Sequence, residues 1–176
     1  QMVLSFWFEE VDQKAWFKKD HVFDQLIRDR FGSIHDAAIK CELFSWRKDH
    51  LGRLAEIIVL DQFSRNLYRD SRLSFAHDAM ALTISQEALN AGGDFGEDIP
   101  KQTFLLMPFM HSESSLIHEK AVELFSRPGM QGTLDYEYKH KEIIDRFGRF
   151  PHRNKILGRE SSEEELQFLQ QPNSSF

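Results

Sequence analysis

Residues 51–63 read Leu51-Gly52-Arg53-Leu54-Ala55-Glu56-Ile57-Ile58-Val59-Leu60-Asp61-Gln62-Phe63, and this stretch decides the fold class. Leu54, Ala55, Ile57, Ile58, Val59 and Leu60 cover most of a helix's circumference, so a helix entered after Asp49 should be central and buried. Working outward, strand signals are scarce and helix punctuation recurs. Towards the N-terminus, Val3 to Glu10 places Leu4, Trp7 and Phe8 on one helical face. Asp20 can cap a helix over 21–31, with Gly32 as its stop, and a further helix is expected over 34–44.

Towards the C-terminus the spacing predicts a helix over 73–91, ended by Gly92-Gly93. Pro100 suits the first turn of the next, which Pro108 should break. Helices over 112–125 and 135–147 follow, the second leading into the loop Gly148-Arg149-Phe150-Pro151. Ser161-x-x-Glu164 reads as a capping box opening a last helix to about Gln170. The expectation is an all-α chain of about eight or nine helices with short connections, in stacked hairpins or a solenoid. It is read as one domain over 1–176, frayed over 171–176. The tetratricopeptide signature of Trp, Leu-Gly and Tyr at its set spacing is not visible.

Composition narrows the function classes. A formal net charge of −6 argues against a general nucleic-acid binder, because backbone phosphates demand a basic face. Sixteen Phe against three Tyr suggest a core that needs few polar tips satisfied. The one cysteine, Cys41, cannot form an internal disulfide; following Ala37-Ala38-Ile39-Lys40, it reads as a buried helical thiol. The longest apolar runs, 57–60 and 104–110, fall far short of the ~20 residues of a spanning helix, and the N-terminus lacks the pattern of a secretion signal. The expected setting is cytoplasmic, with no membrane and no cofactor.

Three segments carry polar groups in unusual places. In Asp61-Gln62-Phe63-Ser64-Arg65-Asn66-Leu67-Tyr68-Arg69 the central helix turns Asp61 and Arg65 inward, where charge must be paired. Asp61 lies four residues before Arg65, the favourable order for a helical ion pair, and Asp145 and Arg149 echo it. In Pro108-Phe109-Met110-His111-Ser112-Glu113 a His and a Glu sit before a helix start, where Ser112 can cap and Glu113 can complement the dipole. The richest is Arg146-Phe147-Gly148-Arg149-Phe150-Pro151-His152-Arg153-Asn154-Lys155-Ile156-Leu157-Gly158-Arg159, five of whose residues besides His152 are Arg or Lys around a rigid turn with no acid until Glu160. Clustered guanidiniums suit carboxylate or phosphate. A solvated basic turn pairing with Glu163-Glu164-Glu165 explains the same residues. Tyr136, His140, Ile143 and Phe147 share a helical stripe, which turns His140 inward. His118-Glu119 lacks a second His four residues on, and no Cys pair exists, so no metal is expected.

These three segments resemble a largely bacterial family catalogued as domain of unknown function nine-twenty-four. The openings Val3-Leu4-x-Phe6-Trp7-Phe8 and Trp16-Phe17-x-Lys19 with Phe31-Gly32, and the tail Leu157-Gly158-Arg159-x-Ser161-x-x-Glu164-Glu165, are similar to it as well. Ser64 departs from the pattern, which more often has Pro there. The resemblance implies an all-helical arrangement similar to tetratricopeptide repeats and supplies no catalytic roles.

Two functional readings compete with a structural one. The first is a pocket for a small anionic ligand, with Arg65, Asn66, Arg146, Arg149, Arg153 and Asn154 as binding groups. In it His111, His140, His152 and Glu113 are the acid–base candidates, so hydrolytic or proton-transfer chemistry is conceivable. The second is a tetratricopeptide-like interaction module holding a peptide or a C-terminal carboxylate in a groove. The third makes all these residues a satisfied network that fixes helix ends.

Overall fold

The computed structural model describes residues 1–172 and 174–175. It is helical throughout, with no strand among the described residues. Helix α1 (Met2–Ser5) runs into a π-helical turn, Phe6–Glu10. Helix α2 (His21–Ala38) starts where the Asp20 carboxylate accepts the amides of Val22 and Phe23. The stop expected at Gly32, and the separate helix over 34–44, are both corrected: α2 is a single helix through Gly32. Phe31, His35 and Ala38 are fully buried on one stripe, and that continuous face outweighs one glycine's propensity cost. Cys41 lies beyond the helix end, exposed and at φ 59°, so it is not a buried helical thiol.

Helix α3 (His50–Ile58) is capped by Asp49, whose carboxylate accepts from the Gly52 amide at 2.8 Å. It passes through a second π-helical turn, Val59–Phe63, into α4 (Ser64–Leu67). Every residue from Leu54 to Ser64 is buried, as the apolar run predicts. Helix α5 (Asp78–Asn90) starts later than its pattern suggests, behind a 3-10 turn over Arg72–Ser74. Helix α6 (Ile99–Met110) has Pro100 in its first turn and is not broken at Pro108. Pro108 stands in the last turn, where its missing amide removes one bond and few remain to lose. Helices α7 (Ser115–Phe125) and α8 (Gln131–Phe147) follow, then a 3-10 turn over Pro151–Arg153, α9 (Asn154–Leu157) and α10 (Glu163–Phe168). The capping box of α10 is Ser162 with Glu165, one residue along from the pair expected at Ser161 and Glu164. Ser161 instead accepts from the Asn154 amide at 3.0 Å.

The chain divides into two compact units: Gln1–Arg69 with Leu73–Pro108, and Asp70–Arg72 with Phe109–Phe176. In the first, α3 packs against α5, and α2 against α4. Its centre is aromatic, with Phe31 against Phe6 at 4.8 Å and against Phe63 at 5.1 Å between ring centroids. Phe6, Phe31, Phe63 and Phe104 are buried in this unit, whereas Phe17 and Phe44 are exposed, so only part of the Phe excess lies in the core. In the second unit α7 and α8 pack as a hairpin, and Ile143, Ile144 and Phe150 form a cluster joined by Phe147 and Phe168. Within the tail expected to fray, residues 173 and 176 lie outside the described residues, and Ser174 donates to the Leu169 carbonyl at 3.2 Å. No helix among the described residues is long and apolar enough to cross a membrane.

Candidate functional site

In the first unit the π-helical turn places Asp61 and Gln62 inside, 1% and 5% exposed. Arg65, one turn on, approaches the Asp61 carboxylate at 3.0 Å, as the spacing predicts, and forks onto both oxygens of Asp78 at 3.0 Å. Burial works against the charge on Arg65, but Asp61 and Asp78 outweigh it and hold the guanidinium protonated. Asn66 donates to Asp24 at 2.8 Å, and Arg69 closes the same carboxylate from the other side. Ser64 links two elements: its hydroxyl donates to the Leu60 carbonyl at 2.7 Å, and His35 Nε2 lies 2.8 Å away.

In the second unit the residues around His111 are clamped from three sides. Arg153 donates to the His111 carbonyl at 3.2 Å, and His118 Nε2 donates to the Ser112 carbonyl at 2.8 Å. The Glu113 carboxylate accepts the Phe150 amide at 2.8 Å and both terminal nitrogens of Arg159 at 2.6 and 2.9 Å. Burial raises the Glu113 carboxyl, but Arg159 and the Phe150 amide outweigh it, so it stays below the usual range. Ser112 and Glu113 therefore do not cap α7, whose N-cap is Ser114 with no side-chain cap bond.

Phe150, fully buried, is the hub. The rings of His140, His152 and His118 lie 5.7, 5.7 and 6.2 Å from it, and the Arg153 guanidinium sits 4.6 Å from its centroid. His140 is buried as its stripe predicts, although Tyr136 on that stripe is exposed. Its Nδ1 donates to the Tyr136 carbonyl at 2.8 Å. Burial pushes its pKa down to about 3, helped by the nearby charges of His111, His118 and Arg153.

Of the proposed groups, His140, His152 and Arg153 thus lie against the Phe150 ring, Glu113 takes the Phe150 backbone amide, and His111 is tied to them through its carbonyl, which accepts from Arg153. Arg65 and Asn66 belong to the first unit, each facing a carboxylate. Arg146 and Arg149 turn to the C-terminal acids: Arg146 meets Glu164 at 2.8 Å, and Arg149 grips Glu165 at 2.7 and 2.8 Å. Glu165, bonded by Arg149, falls to about 2. Asp145 pairs with Lys141, not Arg149, because the left-handed Gly148 ends α8 between them. Asn154 is fully buried, donating to Ser161 and accepting from Arg159 at 2.9 Å.

His118, which the sequence pattern excludes only as a metal ligand, and Glu137 are buried partners 2.6 Å apart between α7 and α8. Their signal was present: His118, Ala121 and Phe125 share one helical stripe, as do Leu134, Glu137 and Ile144. Among the described residues no group of three or more His, Cys, Asp or Glu side chains could hold a metal ion.

An all-helical protein with an imidazole-rich polar cluster is the class these features define. The chain belongs to the family described as bacterial protein of unknown function (DUF924), whose model matches residues 3–173. It is similar to the solved structure of the protein of unknown function ATU0120 from Agrobacterium tumefaciens, with 37% identity, 96% of this chain and 95% of that chain covered, and a TM-score of 0.89. No curated protein matches it.

Proposed function

We propose that the second unit binds a small anionic ligand beside Phe150, with Arg153 supplying charge and His111, His140 and His152 supplying hydrogen bonds. The observation that carries this reading is the gathering of His140, His152 and Arg153 on one buried ring, with the His111 carbonyl held by Arg153, while the nearby carboxylate, Glu113, is engaged by Arg159. The triple clamp on residues 111–113 favours a preorganised site, which lowers the ordering cost of binding. Acid–base chemistry falls to the half-buried His111 or His152, because His140 is held neutral. Arg146 and Arg149 take a supporting role, since both already hold acids of the C-terminal helix.

The test is a thermal-shift screen of the whole chain with orthophosphate, di- and tricarboxylates, nucleotides and short peptides, repeated with His152→Asn and Arg153→Lys. A native-state ligand at about 100 times its Kd adds about 2.7 kcal/mol and raises the melting temperature by several degrees. The expected result is a shift with one anion class that shrinks in both variants. A shift with peptides alone would replace this reading by the tetratricopeptide-like interaction module; no shift with any anion would end it.

A further inference from the structure

We propose that His118 and Glu137 form a proton-locked clamp: one proton shared between them holds residues 111–113 in place, and its loss at alkaline pH releases that segment. The consequence for ligand binding rests on the anion-site reading above; the clamp itself does not.

A carbonyl oxygen only accepts, so His118 Nε2, 2.8 Å from the Ser112 oxygen, must carry hydrogen. The proton count at Nδ1 then decides the contact with Glu137 Oε1, 2.6 Å away. With one proton between them, either an imidazolium donates to a carboxylate or a carboxylic acid donates to a neutral imidazole. Both are good hydrogen bonds. If hydroxide removes that proton as water, the neutral imidazole has one N–H left for two acceptors: either the Nδ1 lone pair faces the Glu137 carboxylate, or in the other tautomer the Nε2 lone pair faces the Ser112 carbonyl, and one of the two contacts must open. Both side chains are fully buried, so water cannot soften the repulsion, and Glu137 Oε2 has no hydrogen-bond partner to steady an anion.

The charged neighbours are few. Lys141 from α8 favours a carboxylate at Glu137, whereas His140 from α8 is a neutral imidazole near His118, with His111 from the preceding loop and the guanidinium of Arg153 from the 3-10 turn close to it. Desolvation dominates at Glu137 and raises its carboxyl. Opening either contact breaks the tie that runs from Glu137 on α8 through His118 to Ser112, between His111 and Glu113.

The experiment is an NMR titration of the intact 13C,15N-labelled protein from about pH 6 to about pH 10, a range that starts below the ordinary imidazole value of about 6.5 and runs well above it. It follows the His118 ring nitrogens, the Glu137 carboxyl carbon and the amides of 111–113. The expected result is a protonated Nδ1 or a protonated carboxyl at neutral pH, with the 111–113 amides moving only when that proton leaves. A bare Nδ1 beside an ionised Glu137 at neutral pH would overturn the proposal, and the parent protein alone suffices to see it. Glu137→Gln keeps a donor to Nδ1 without an acidic proton, so its 111–113 amides should not respond to alkali; a response like the parent's would also overturn it. Orthophosphate, titrated in the same samples, separates the two claims. No binding at any pH defeats the anion site and leaves the clamp to the NMR result, whereas binding that survives release of the segment defeats their coupling.

Discussion

Arg159 grips Glu113 through two guanidinium nitrogens, 2.6 and 2.9 Å from its two oxygens, across 46 positions of sequence. The same carboxylate takes the Phe150 amide, so one side chain fastens the loop before α7 to the turn after α8. Glu113→Ala strands a guanidinium and an amide together, and should cost about 2–4 kcal/mol in urea unfolding. The carboxyl is depressed in the folded state, so its contribution is present above the unfolded pKa and disappears as pH falls through the folded one. The difference between parent and Glu113→Ala should therefore shrink in acid.

His35 and Ser64 make a second, wholly buried contact. Because the Ser64 hydroxyl donates to the Leu60 carbonyl, His35 Nε2 is the donor in their 2.8 Å bond. Ser64→Ala removes the acceptor and should destabilise the protein by about 1–3 kcal/mol. Unchanged unfolding would show that the imidazole finds another acceptor.

Acid should expose two histidines. Burial, followed by the charge of His77, pushes His35 down to about 4, and burial pushes His140 to about 3. Both are neutral in the fold and free to charge when unfolded. Their contribution is intact above the unfolded value of about 6.5 and is lost progressively as pH falls towards 4 and 3. Melting temperatures between about pH 7 and about pH 4 should drop less in a His35→Gln variant than in the parent.

Gly52 is irreplaceable on steric grounds. A Cβ there would lie 1.7 Å from the Trp46 carbonyl oxygen and 2.6 Å from its carbon, both backbone atoms. Gly52→Ala must push the 3-10 turn Phe44–Lys48 away from α3, at a cost of more than about 3 kcal/mol. Far-UV circular dichroism with thermal melting would register it.

Arg149→Ala should loosen the C-terminal helix and spare the proposed ligand site. Arg149 holds Glu165, which is also the capping-box residue of α10. Hydrogen exchange should accelerate over 163–168, while any anion-induced thermal shift persists. Loss of that shift instead would bring Arg149 into the site.

By itself the sequence determined the helical class, the buried run over 54–63, the Asp caps at 20 and 49, and the Asp61–Arg65 pair. All are local: they follow from side-chain period, from donors left open at a helix start, and from residues four apart on one face. Gly32 and the Ser161–Glu164 box misled because local propensities of about a kcal/mol yield to burial of a continuous face or to a neighbouring cap of equal quality, and Pro108 misled because it stands in the last turn, where few bonds remain to lose. Only the tertiary structure decided which charge meets which. Arg159 finds Glu113, Arg149 finds Glu165, and His118 finds Glu137, each between elements whose approach is set by the packing of apolar faces. A charge pattern in sequence counts the partners available; distance in the folded chain selects among them, because these bonds act over a few ångströms and residues far apart in sequence have no fixed distance until the core forms.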